Sequence, residues 1–203
     1  MSLKLLVNGA GHGFDTADAE MTLLDFLRER ISARDVKCGC NKGYCGSCTV
    51  MVNGVNKKSC SLKMKNLDGA VIVTAAGINS PKLSAVSKKM HEHGAVQCGF
   101  CFPGIACSLE SKLAGIENPS ESDIKNALSG HVCRCTGYIP IVEALSDKTP
   151  FITAKNDDFI SVGDSPVRPD SEPKLNGSAV YADDIDAPGM LHIAVLRSAH
   201  AHA

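Results

Sequence analysis

Tryptophan is absent from this 203-residue chain, and aromatic residues of all kinds make up only 4% of it. A core with so few large rings is small, and small cores gain most from cross-links such as bound metal. No excess of charge is present either, since 21 Lys and Arg stand against 22 Asp and Glu for a net charge of -1. The basic residues are scattered, so the electrostatic footprint that nucleic acid or an anionic membrane requires is missing. Long apolar runs are missing near the start as well: residues 1–30 offer only Leu5–Val7 before the turn Asn8-Gly9. No signal peptide or membrane anchor is legible there, and the expected compartment is the cytoplasm, where thiols stay reduced.

What the chain does have is cysteine, 10 in all. Eight fall into two sets. Cys40, Cys45, Cys48 and Cys60 form a C-x4-C-x2-C run followed by a fourth thiol after eleven intervening residues, the spacing of plant-type [2Fe-2S] proteins. Cys98 and Cys101 in QCGFC are followed, after thirty-one residues, by Cys133 and Cys135 in CRC. In a reducing compartment such thiols read as ligands rather than disulfides. Zinc is the rival, because four thiolates also satisfy a tetrahedral site. Against zinc, neither set contains two C-x2-C knuckles, and the loop KCGCNKGYCGSC is rich in glycine. A di-iron cluster held by four thiolates is an anion and needs backbone N–H groups close to its sulfurs. Gly39, Gly43 and Gly46 allow that approach. Spacing thus favours iron–sulfur for the first set and leaves iron and zinc open for the second.

Periodicity divides the chain at about residue 76. Before it, Leu3–Val7 leads into a hairpin at Asn8-Gly9, Thr22 with Asp25 starts a helix running to about Arg30, and Asn53-Gly54 joins a second hairpin between Cys48–Val52 and Val55–Cys60. Val71–Thr74 closes the set as a last strand. A cysteine loop between a helix and a hairpin predicts a β-grasp ferredoxin architecture. Residues 77–148 look helical, with Pro81, Pro103 and Ser120 at helix starts and Thr136 as a cap for a fourth helix from Tyr138 to Leu145. Each cysteine pair then precedes a helix start, where free N–H groups favour an anion. Residues 149–174 read as an irregular connector, and 175–203 as the opening of a further unit with a strand from Met190 to Arg197.

CNKGYCGSCTV with Cys60, then QCGFCFPG with HVCRCTGY, resemble the two cluster motifs of the molybdenum hydroxylases, the family of xanthine dehydrogenases and aldehyde oxidoreductases. LNGSAVYADDIDAPGMLHIAVLRSAHAHA is similar to the opening of that family's molybdenum domain. The resemblance implies an α+β chain: a β-grasp [2Fe-2S] domain over 1–76, a four-helix [2Fe-2S] domain over 77–148, a connector over 149–174, and over 175–203 the incomplete start of an α/β molybdenum domain. It implies iron at both sets and electrons that enter from a molybdopterin cofactor in that further domain, with Gln97 and Cys135 nearest the pterin. No flavin domain intervenes after Thr136, which implies an external acceptor: a flavoprotein subunit, ferredoxin or flavodoxin. The family's catalytic glutamate and pterin-binding loops are not in these residues. Two positions depart from the family's wording, Phe102 where Thr or Ser is common and His131 where Asn is common.

Other features read more simply. Gly9, Gly11 and Gly13 are spaced for a hairpin tip rather than a dinucleotide loop. His91 with His93 reads as a solvated helix face, and His200 with His202 as part of an exposed end. Cys107 reads as a core thiol. Cys38 is a spare thiol two residues before Cys40, and the x4 spacing favours Cys40 as the ligand. Arg134 either tempers charge at the second set or pairs outward.

Overall fold

In the computed structural model, which describes residues 3–146, 148, 168–191 and 193–202, the chain is a mixed α+β fold. β1 (Leu3–Val7) and β2 (Ala10–Phe14) pair antiparallel. Asn8 and Gly9 between them have φ of 50° and 85°, the two left-handed residues of a type I′ turn. Asn53 and Gly54, with φ of 50° and 80°, make the same turn between β3 (Thr49–Val52) and β4 (Val55–Lys58). β5 (Val71–Val73) lies between the hairpins, parallel to β1 and antiparallel to β3, giving the order β2-β1-β5-β3-β4. α1 (Leu23–Asp25) begins where Thr22 Oγ1 accepts the Asp25 N–H at 3.1 Å and continues as a π-helical turn, Phe26–Arg30. Leu23, Leu24, Phe26 and Leu27 bury against Leu5, Val7, Phe14 and Ile72 of the sheet.

Four helices follow: α2 (Pro81–Glu92), α3 (Phe102–Lys112), α4 (Glu121–Leu128) and α5 (Ile139–Leu145). Ser80 caps α2 through the Leu83 N–H, and Ser120 with Asp123 forms a reciprocal capping box on α4. Thr136 does not cap α5. Its hydroxyl accepts the Tyr138 N–H at 3.1 Å, which tightens the turn before the helix, and Tyr138 itself precedes α5 with φ of 69°. Met90, Ile105, Leu109, Ile124, Leu128 and Ile141 form the helical core. α3 also rests on the sheet, where Ala106 and Cys107 bury with Met51 and Ala75. Cys107 is a core thiol, as its helical spacing implies. His93 departs from the expected solvated face, being buried, and His91 Nδ1 meets Ser171 Oγ.

Most of the expected connector, residues 149–167, lies outside the described residues. Its last part is not irregular: α6 (Ser171–Leu175) is helical, and Leu175 buries in the helical core. The strand expected from Met190 to Arg197 is not formed in the described residues there, and Leu191, Ile193 and Leu196 are 88%, 90% and 100% exposed. Apolar composition alone cannot make a strand without an edge to pair with.

Residues 171–185 act as a strap across both units. Lys37 Nζ lies 2.7 Å from Asp184 Oδ2, with side chains 1% and 2% exposed. Arg28 reaches Asp183 at 3.0 Å and Asp184 at 3.1 Å. Tyr181 lays its ring 4.7 Å from the Lys37 ammonium and donates its hydroxyl to the Cys98 carbonyl at 2.6 Å. Burial alone would raise the Asp184 pKa, but Lys37, the Tyr181 N–H and Arg28 together hold it below the usual carboxylate value. A carboxyl depressed on folding stabilises the fold above its unfolded pKa and loses that contribution as pH falls below it, so acid should loosen the strap. Asp184→Ala leaves Lys37 buried without its carboxylate and should cost about 3–5 kcal/mol in urea denaturation, whereas Lys37→Met with Asp184→Leu should recover most of that loss. An Asp184→Ala protein within about 0.5 kcal/mol of wild type would show that Lys37 does not depend on this carboxylate.

Candidate metal centres

The first cysteine set is built by a loop, residues 38–48, between the π-helical turn and β3, with Cys60 brought in on the short 3-10 turn Ser59–Ser61 after β4. Backbone amides face its sulfurs: the N–H groups of Lys42 and Cys45 lie 3.4 Å from Cys40 Sγ, and that of Gly43 lies 3.3 Å from Cys60 Sγ. The Cys40 thiol interacts with that of Cys45, and the Cys48 thiol with that of Cys60. Amide donors pull Cys40 down to about 6, Cys45 N–H foremost and then Lys42 N–H, while burial pushes Cys48 up to about 11. A Cβ on Gly39 would stand 2.9 Å from Cys45 Sγ, so only hydrogen fits beside that sulfur. Cys38 behaves differently. It packs with the apolar core of the sheet, and burial raises its pKa.

The second set spans two loops of the helical unit. Cys98 and Cys101 precede α3, and Cys133 and Cys135 lie between α4 and α5. The first pair does stand at a helix start, with Cys101 immediately before α3; Cys135 is separated from α5 by the turn of Thr136–Tyr138. The Cys98 thiol feels the charge of Cys135 and Cys133, and the Cys101 thiol that of Cys133 and Cys98. Burial raises Cys101. Burial would raise Cys133 too, but the Thr136 hydroxyl, 3.0 Å from its sulfur, helps bring it below its usual value. Tyr138 holds the loop from the other side: its phenol accepts the Cys133 N–H at 2.8 Å and donates to the His131 carbonyl at 2.9 Å. Gln97, Cys98, Arg134 and Cys135 are each exposed, and Lys174 of the strap donates to the Gln97 carbonyl at 3.1 Å.

Among the described residues no three Cys, His, Asp or Glu side chains converge to hold a single metal ion. At the first set, backbone N–H groups aimed at sulfur suit a two-iron, sulfide-bridged anion.

The two sets meet backbone to backbone. The Val132 N–H, next to Cys133, donates to the Cys45 carbonyl at 2.9 Å. A Cβ on Gly46 would fall 2.4 Å from the Gly130 carbonyl oxygen and 2.6 Å from His131 Nδ1, and one on Gly104 would fall 2.3 Å from the Gly46 carbonyl oxygen. His131 is buried, its Nε2 2.6 Å from Ser108 Oγ, and Ser108 Oγ in turn accepts the Asn56 amide at 3.0 Å. Sequence reasoning did not single out Val132, Ser108, Asn56 or Tyr138 for these roles. His131 alone carried a signal, as a departure beside a ligand.

Residues 13–86 match the family described as "2Fe-2S iron-sulfur cluster binding domain", and residues 74–146 that described as "[2Fe-2S] binding domain". The small subunit of nicotine 6-hydroxylase from Paenarthrobacter nicotinovorans is 38% identical over 139 residues, covering 68% of this chain and 84% of that subunit. The chain belongs to the molybdenum hydroxylase family. Within that family it is also 35% identical over 203 residues to the aldehyde oxidoreductase of Megalodesulfovibrio gigas, covering 92% of this chain but 22% of that protein. The solved aldehyde oxidoreductase from Desulfovibrio gigas superposes with a TM-score of 0.77 at 33% identity, over 91% of this chain and 22% of that one. This chain thus corresponds to the iron–sulfur portion of a molybdenum hydroxylase and spans about a fifth of the aldehyde oxidoreductases it matches.

The close approach of the two units gives a test by sign. Gly→Ala inside a helix ordinarily stabilises by up to about 1 kcal/mol. Gly104→Ala should instead destabilise, by about 1–3 kcal/mol in thermal unfolding, because its methyl meets the Gly46 carbonyl. A stabilised Gly104→Ala protein would mean that the contact is loose.

Proposed function

We propose that this chain is the electron-transfer region of a molybdenum-dependent hydroxylase that oxidises an aldehyde, a purine or another N-heterocycle. Cys40, Cys45, Cys48 and Cys60 hold one [2Fe-2S] cluster, and Cys98, Cys101, Cys133 and Cys135 the other. When bound, each cluster supplies a one-electron redox centre. The observation that carries the reading is the junction itself: two four-thiol sets bridged by the Val132 to Cys45 hydrogen bond. Amides of Lys42, Gly43 and Cys45 supply the donors that a charged cluster needs at its sulfurs. The low pKa of Cys40 and the apolar setting of Cys38 support Cys40 as the ligand of the pair.

The finer organisation follows the same reading. Residues 1–76 form the β-grasp ferredoxin-type domain, 77–148 the four-helix domain, 149–174 the connector, and 175–203 the start of the molybdenum-cofactor domain. Gln97 and Cys135, both exposed, face the pterin of that cofactor. Electrons leave from the first set, whose loop exposes Asn41, Lys42 and Tyr44, to a flavoprotein subunit, ferredoxin or flavodoxin in the cytoplasm. No helix among the described residues is long and apolar enough to cross a membrane.

Chemical analysis tests the core of this. The anaerobically purified chain should carry about four iron and four acid-labile sulfide, with visible absorption that bleaches on dithionite. Cys45→Ala should halve the iron, while Cys38→Ala and Cys107→Ala should leave it unchanged. Stoichiometric zinc without sulfide would overturn the proposal, and iron lost on Cys38→Ala would replace Cys40 in the ligand set.

A further inference from the structure

His131 is tied down at its backbone N–H, its carbonyl and its ring Nε2, while the buried Nδ1 lies beside Gly46 without a hydrogen-bond partner among the described residues. Its N–H donates to the Leu128 carbonyl at 2.9 Å, and its own carbonyl accepts the Tyr138 hydroxyl at 2.9 Å. Its ring is buried and joined to the sheet hairpin through Ser108 and Asn56. A serine hydroxyl has one proton and two lone pairs. The Asn56 amide takes one lone pair of Ser108, which leaves the hydroxyl its proton and a second lone pair with which to meet His131 Nε2 in either tautomer of the ring. The next amide in the chain, Val132 N–H, makes the bond to Cys45. Asn56 belongs to β4 and Ser108 to α3, so the chain of bonds fastens the Cys133 loop to the sheet unit that carries the first cysteine set.

We propose that His131 is a positioning residue: held by Ser108 and Asn56, it fixes the Val132 to Cys45 hydrogen bond and thereby sets the rate of electron exchange between the two cysteine sets without ligating either. The rate claim rests on the function proposed above; the mechanical claim does not. Arginine or lysine would bring charge into this buried contact, whereas imidazole spans Ser108 and Gly46 while neutral.

The test uses the full chain with its clusters loaded. Glutamine places an amide near the position of Nε2, and asparagine near that of Nδ1, so the two separate the Ser108 contact from the Gly46 contact. His131→Leu should keep the wild-type iron and sulfide content, raise hydrogen exchange at the Val132 amide by about tenfold, the loss of one hydrogen bond's worth of protection, and slow equilibration between the two clusters several-fold after flash reduction. His131→Gln should restore both readouts and His131→Asn neither. Wild-type exchange and equilibration in His131→Leu would overturn the proposal, as would rescue by asparagine rather than glutamine. Should His131→Leu fail to fold, Ser108→Ala must raise Val132 exchange in its place; unchanged exchange there also overturns it. A wild-type chain without iron would overturn the functional reading, and the exchange measurement would still decide whether His131 is the pin.

Discussion

The hydrogen bond from the Val132 amide to the Cys45 carbonyl, 2.9 Å long, is the point on which the rest of the structure turns. It exists only because two backbones approach more closely than side chains would permit. Gly46 and Gly104 each occupy a place where a Cβ would overlap a carbonyl oxygen of the facing unit. Small residues at this contact let an α-helix, α3, lie directly on the cysteine loop of the sheet unit. Close packing of this kind is stiff, because interiors at native density tolerate little displacement, and a stiff spacer suits residues whose task is to keep two redox sites at constant separation.

Around that contact the chain adds restraints of different physical kinds. Apolar burial of Met51, Ala75, Ala106 and Cys107 is non-directional and supplies adhesion. Hydrogen bonds through Asn56, Ser108 and His131 supply direction. The strap supplies buried charge, since Lys37 and Arg28 from the sheet unit meet Asp183 and Asp184 beneath Tyr181, which in turn holds the Cys98 carbonyl. Buried ion pairs are weak sources of net stability but strict about geometry. The strap therefore ties residues of the sheet unit to the Cys98 loop through one buried pair, Lys37 with Asp184, and the Tyr181 hydroxyl.

Local features were legible in the sequence and distant ones were not. Both Asn-Gly turns, the Pro81 helix start and the Ser120 cap depend on residues within a few positions of one another, and the structure places each where its pattern implies. The ferredoxin-like order of helix, loop and hairpin followed from them. Lys37 and Asp184 are 147 positions apart, and no local pattern announces their pairing; the same holds for Asn56 with Ser108. Thr136 looked like a helix cap because it precedes an apolar stretch, yet its hydroxyl is drawn to the Tyr138 amide and the Cys133 sulfur. The apolar stretch from Met190 onward read as a strand because a continuous apolar run signals burial, but Leu191, Ile193 and Leu196 are exposed. At the candidate sites, the thiols were legible by type and spacing, whereas the amides that face them depend on loop geometry and could only be seen in three dimensions.

The central claim is that two iron–sulfur sites are held in fixed, close relation across a backbone contact. Electron paramagnetic resonance of the fully reduced protein tests it most directly. Two distinct signals from [2Fe-2S] centres should appear, each broadened or split by spin–spin interaction with the other, and the interaction should vanish when Cys45→Ala removes the first centre. Two signals that show no mutual interaction at any temperature, or a single signal accounting for all the iron, would contradict the account.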